Sequence, residues 1–210
     1  MKNKSLFILI SVSFFVFVSY FHPVISEVKN DWICIPGERV GPITTKTNED
    51  QIKKFFGEGN VTRNKVVTGE NGETSEITIV FKNTKNEFLI KWDENKPFIK
   101  PWRIEIYKDG TKWAMPGITV GTSLEELIKT NGKQILFSGF SWDYGGYVTS
   151  WNKGKLDSIY KKNSFTIRLK PGTSDSKLLY GFGGDGDIPS DRKGVSKLKI
   201  IVSEVAINFK

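Results

Sequence analysis

"GPITTKTNEDQIKKFFG", Gly41–Gly57, and "GITVGTSLEELIKTNG", Gly117–Gly132, match when one is slid past the other by 75 positions. Ile43 and Thr44 then fall on Ile118 and Thr119, Thr47 on Thr122, Lys54 on Lys129 and Gly57 on Gly132. Each stretch carries the marks of one short helix. Thr47 and Thr122 stand where an N-cap hydroxyl is wanted, with Asp50 and Glu125 three positions on as capping-box acids. Ile52 with Phe55 and Phe56, and Leu124 with Leu127 and Ile128, give the i, i+3, i+4 apolar stripe. Gly57 and Gly132 sit where a left-handed residue ends a helix.

Strand-like segments follow each helix. After Gly57 come "NVTRNKVVTG", "TSEITIVFK", "EFLIKW" and "WRIEIYK", separated by turn-forming "ENGE", "NTKN" and "DENKP". After Gly132 come "KQILFSGFSW", "YVTSW", "SFTIRLK" and "KLKIIVSEVAINF". The expected fold class is therefore α+β, in two related halves, 27–112 and 113–210. Each half is a short helix packed on a roughly four-stranded antiparallel sheet. The second half also holds "PGTSDSKLLYGFGGDGDIPSDRKG", Pro171–Gly194, whose glycine and aspartate content predicts a long exposed loop.

This unit, entered through "GIT-x-x-T-x-x-E" and closed by glycine, resembles the repeat of β-lactamase-inhibitory-protein-like domains. It is also similar to the small outer-membrane assembly lipoproteins built on the same unit. The resemblance implies a non-enzymatic domain that binds another protein across its sheet.

The chain opens with a basic "MKNK", an unbroken apolar "SLFILISVSFFVFVSYF" and then "HPVIS". That order describes a secretory signal peptide over residues 1–26, cut after Ser26, and an exported protein, secreted or periplasmic. No later segment is apolar enough to span a bilayer. Cleavage removes His22, the only histidine, and two of the 31 basic residues, leaving 29 against 23 acidic. A chain without histidine excludes Ser-His and Cys-His nucleophile pairs and His-ligated zinc or iron. The only cysteine, Cys34, has no partner for an internal disulfide. It follows "NDWI" rather than the apolar run, so lipidation is rejected, and "WICI" reads as a buried strand. The positive excess is spread among threonines, asparagines and acids with no arginine-rich run, which argues against nucleic acid.

"FSGFSWDYGGYVTSW", Phe137–Trp151, packs six aromatic residues into fifteen. Read as a hairpin turning at Asp143–Gly146, it puts Leu136, Phe140, Trp142, Tyr147 and Trp151 on one face, with Tyr144 at the tip. Ile135, Phe137 and Val148 take the other face. Two readings follow. If the helix at 123–131 covers the aromatic set, the stretch is core. If it covers the aliphatic set, Trp142, Tyr144, Tyr147 and Trp151, with Phe140 beneath them, form a partner-binding surface.

Asp185, Asp187 and Asp191 in "GGDGDIPSD" are oxygen ligands on a flexible loop and the one calcium candidate. A loop of EF-hand type starting at Asp185 would need a glutamate where Ser196 stands. Only carboxylates remain for acid/base chemistry, and Asp143, between Trp142 and Tyr144, suggests a sugar platform beside an acid. The leading expectation is a non-enzymatic binding module with a protein partner and no cofactor. A carbohydrate-binding or carbohydrate-active protein using Asp143 is one alternative, and a cell-envelope assembly or structural protein is another.

Overall fold

The computed structural model describes residues 30–67, 74–160 and 163–209. The expected signal peptide lies outside them, as does His22. Three short strands come first, β1 (Cys34–Ile35), β2 (Arg39–Val40) and β3 (Ile43–Thr44), then helix α1 (Glu49–Phe56). A meander follows: β4 (Val61–Val67), β5 (Thr74–Val80), β6 (Phe88–Trp92) and β7 (Pro101–Ile106). The hairpin β8 (Ala114–Met115) and β9 (Ile118–Thr119) leads into α2 (Leu124–Asn131). Beyond it lie β10 (Leu136–Ser138), β11 (Val148–Ser150), α3 (Lys155–Ile159), β12 (Phe165–Lys170), α4 (Ser176–Tyr180), β13 (Asp187–Pro189) and β14 (Ile201–Asn208).

The repeated stretches fold alike. Val40 pairs with Ile43 and Arg39 with Thr44 in the first hairpin. Met115 pairs with Ile118 and Ala114 with Thr119 in the second. Each helix then runs eight residues and closes on glycine, whose N–H donates to the carbonyl of Lys53 or Ile128. The caps differ from the expectation by one residue. Asn48 and Ser123, not Thr47 and Thr122, are the N-caps, and their box partners are Gln51 and Glu126 rather than Asp50 and Glu125. The threonines have another task. Thr47 Oγ1 accepts the Thr44 N–H at 3.0 Å, and Thr122 Oγ1 accepts the Thr119 N–H at 2.9 Å. A side chain closing the turn out of the hairpin is not free to cap the helix, so capping passes to the next polar residue.

The strands do not form a separate four-stranded sheet in each half. One six-stranded antiparallel sheet runs β12-β14-β7-β6-β5-β4. Val205 and Ile207 of β14 sit opposite Ile106 and Ile104 of β7. This pairing satisfies two strand edges at once and makes the apolar surface continuous. β10 and β11 instead join β13 in a small sheet ordered β11-β10-β13, and the isolated pair Tyr147↔Arg168 links its end to β12.

Alternation assigns the two faces of the large sheet. Phe88, Ile90, Ile104, Ile106, Ile167, Val205 and Ile207 point to one side and join Ile52, Phe56, Leu124 and Leu127 of α1 and α2 in one core. Each such buried side chain contributes roughly 1.5–3 kcal/mol. The core extends under the small sheet through Phe137 and Ile188. Cys34 is buried within it, and burial pushes its thiol up to about 12, so it packs as a small apolar group.

The segment 171–194 is not a plain exposed loop. It folds into α4 and β13, and buries Phe182 and Ile188. Among the described residues no helix is long and apolar enough to cross a membrane.

Candidate functional site

The five aromatic residues singled out in the sequence separate into three environments. Phe140 is core, tilted against Phe137 with ring centroids 5.6 Å apart. Trp151 is half-buried and stacks on Phe165 at 5.4 Å. Tyr147 is also half-buried, with the Arg168 guanidinium 5.0 Å above its ring. Trp142 and Tyr144 are exposed, at 37% and 67%, and meet edge to face at 5.4 Å and 61°. The aliphatic set turns inward, with Ile135 and Phe137 fully buried.

The hairpin does not extend to these rings. β10 and β11 pair through Leu136↔Ser150 and Phe137↔Val148, with a bulge between them. The last links are the Ser138 N–H to the Tyr147 carbonyl and the Gly146 N–H to the Ser138 carbonyl. Residues 139–146 leave the ladder as a closed loop, so Trp142 does not face Tyr147. The Phe140 N–H donates to the carbonyl of Phe182 and the Gly139 N–H to that of Gly186. The 171–194 segment thus takes the hydrogen bonds that a longer hairpin would have used.

Every turn of the loop is tied down. Trp142 Nε1 donates to the carbonyl of Gly139 at 2.9 Å, and Ser138 Oγ to that of Tyr144 at 2.6 Å. Arg168 donates from Nε to the Gly145 carbonyl at 2.9 Å and from Nη2 to the Asp143 carbonyl at 3.0 Å. The glycines allow this closeness. A Cβ at Gly139 would lie 2.4 Å from the Gly184 carbonyl oxygen, and one at Gly146, where φ is +81°, would lie 2.1 Å from that of Leu169. Two exposed aromatic rings therefore stand on backbone that has little freedom to move.

Beside the loop opens a cleft of about 420 Å³, lined by Phe140, Trp142, Arg168, Lys170, Ser203 and Glu204 among others. Its floor is the face of the large sheet opposite α1 and α2, which carries a row of charges, and Leu179 of α4 borders it. Arg103 donates from Nε to Glu105 at 2.6 Å, from Nη2 to Glu204 at 3.0 Å and from Nη1 to Asn208 at 2.9 Å. Lys91 Nζ reaches Glu105 at 2.7 Å. Burial and the nearby Glu105 charge push the Glu204 carboxyl up, against the pull of Arg103. Burial and the Glu204 charge push the Tyr147 phenol up in turn.

Arg168, Lys170, Arg103 and Glu204 are the residues that sequence reading missed. Alternation holds the signal for two of them. Phe165, Ile167 and Leu169 turn inward on β12, which leaves Arg168 and Lys170 on the other face. Glu204 in "IIVSEVAINF" is the one charged residue of a largely apolar strand.

Asp143 is exposed, and Arg168 meets its carbonyl rather than its carboxylate. Asp185, Asp187 and Asp191 do not converge. Asp187 Oδ1 accepts from Thr149 at 2.8 Å, and no group of three or more His, Cys, Asp or Glu residues able to hold a metal ion occurs among the described residues.

No protein-family model matches the chain, and no curated protein matches it. Among solved structures it is similar to the uncharacterized protein yfeY from Escherichia coli. That similarity spans 82% of this chain and 97% of the other, at 15% identity and a TM-score of 0.45.

Proposed function

We propose that this chain is an exported, non-enzymatic binding module that recognises a protein partner through the aromatic loop at 139–146 and the adjoining cleft. One observation carries the reading: Trp142 and Tyr144 are exposed side by side on backbone fixed by hydrogen bonds and by glycine contacts. Large rings held rigidly at the surface lose little entropy on binding, which is what interface anchors need. Arg168 and Lys170 beside them supply polar contacts for the rim. The resemblance to inhibitor-like and assembly-lipoprotein domains implies binding across the sheet, and agrees with this reading.

The module is read as one duplicated unit, 27–112 and 113–210. Its support is the common spacing of hairpin, threonine turn, capping box and helix. The aromatic surface belongs to the second copy alone. The glycan alternative draws less support, because Trp142 and Tyr144 meet at 61° instead of forming one flat platform.

Site-specific photocrosslinking tests the reading. A benzophenone amino acid placed at Tyr144 should yield a discrete protein adduct in envelope or culture extracts. The same group at Ile159, exposed on α3, should not. Adducts of equal pattern from both positions would overturn it.

A further inference from the structure

The small sheet and the large one end differently, and the difference exposes a second surface. β10 begins four residues after Gly132 and pairs on one side with β11; β4 begins four residues after Gly57 and pairs on one side with β5. On its other side β10 is covered. The Pro171–Gly194 segment lays β13 antiparallel along it, through Leu136↔Pro189, Phe137↔Ile188 and Ser138↔Asp187. β4 is the terminal strand of its sheet, and no strand among the described residues lies along its outer side.

We infer that the outer edge of β4 accepts an extended, acidic segment of a partner protein, added as a further antiparallel strand in the way β13 adds to β10. A seven-residue edge offers a row of outward N–H and C=O groups, which is the requirement for strand addition. The Lys65 N–H is held by Asn64 Oδ1 at 2.9 Å, and an incoming strand replaces that contact.

Charge selects the occupant. Arg63 and Lys65 stand two positions apart, on the same face, and their side chains are 58% and 65% exposed. Among the described residues each meets one acid: Glu49 at 2.6 Å from Arg63 and Glu76 at 2.9 Å from Lys65. Glu49 is buried and the Phe98 ring covers one face of the Arg63 guanidinium at 4.0 Å, and the exposed remainder of that side chain is what an incoming carboxylate can reach. A second copy is the poorer occupant. Antiparallel pairing of two β4 strands about Asn64 would set Arg63 of one directly opposite Lys65 of the other, and like charges so placed destabilise a sheet. An incoming strand with acids at alternate positions meets both cations on one face.

The test uses the purified chain and two end-blocked heptapeptides, TEVEVET and TKVKVKT. Hydrogen exchange of the β4 amides and fluorescence anisotropy of labelled peptide are read at low salt. TEVEVET should bind saturably, slow exchange within β4, and bind at least about fivefold more tightly than TKVKVKT. Lys65→Glu should remove that preference, and Lys65→Gln should reduce it; urea unfolding checks that both variants fold. Unchanged β4 exchange with saturating TEVEVET would overturn the proposal. So would equal affinity for the two peptides. Exchange that slows with protein concentration alone would assign the edge to a second copy instead.

Discussion

The guanidinium of Arg168, on β12, holds the carbonyl oxygen of Gly145 at 2.9 Å, and so joins the aromatic loop to the charged face of the large sheet. The next carbonyl contact, to Asp143, lies at 3.0 Å. Between them sits Tyr144, and one residue earlier Trp142. The position of both rings thus depends on a residue 23 positions from Gly145.

Arg168→Ala should free the loop without unfolding the protein. The cost in stability should be about 1–2 kcal/mol, the range for two lost hydrogen bonds from a charged donor that water can partly replace. The loop should respond more than the core does. Faster amide exchange confined to residues 139–146, alongside a small shift in the urea midpoint, is the expected result.

Gly146 and Gly186 make a matched contrast. Alanine at Gly146 needs a positive φ and a Cβ 2.1 Å from the Leu169 carbonyl, whereas nothing lies within 4 Å of a Cβ at Gly186. Gly146→Ala should cost about 3 kcal/mol or more. Gly186→Ala should stay within about 0.5 kcal/mol. Chemical denaturation of the two variants checks both values.

Glu204 contributes a pH dependence whose sign follows from its surroundings. Its folded-state pKa is raised, by burial first and then by Glu105, so the native state holds this proton more tightly than the unfolded chain does. Its contribution is fully present below the unfolded carboxylate pKa and is lost as pH rises through that value toward the folded one. Glu204→Gln keeps an oxygen for Arg103 and removes the titration. The stability of the native protein relative to this variant should fall as pH rises above the ordinary carboxylate range. Asp31, Glu87 and Glu126 are shifted the other way but are common to both proteins, so they cancel in the difference.

The two capping boxes should behave as independent equivalents. Asn48→Ala and Ser123→Ala each remove the side chain that accepts the N3 amide, from Gln51 and Glu126 respectively. Each should cost about 1 kcal/mol, and the double variant should lose the sum. Urea titrations of the three proteins measure it.

Local signals wrote α1 and α2 legibly into the sequence, but not the five-residue α3 and α4. The apolar stripe and the closing glycines of α1 and α2 are short-range features, and they placed both elements to within a residue. The caps slipped by one because a threonine that closes a turn and one that caps a helix look identical in sequence. Long-range pairing was not legible. Arg103 and Asn208 meet across β7 and β14 although 105 residues separate them, and no local pattern announces such a partnership. The aromatic loop was misread for a related reason. "DYGG" is a sound turn signal, but Gly139 and Gly146 are placed for close approach to Gly184 and Leu169. That approach let the Pro171–Gly194 segment take over the ladder after Ser138.

The central claim is that Trp142 and Tyr144 are held at the surface for a partner. The direct measurement is capture from envelope and culture extracts by the native protein, by Trp142→Ala/Tyr144→Ala, and by Trp102→Ala, which removes another exposed tryptophan. Urea unfolding checks that all three fold. Trp102→Ala should agree with the native protein within about 1 kcal/mol. The loop variant should lose about 1–2 kcal/mol because the Trp142 indole also ties the Gly139 carbonyl. The claim predicts a protein retained by the native chain and by Trp102→Ala but lost from the folded loop variant. Retention of every captured protein by that folded variant would contradict it.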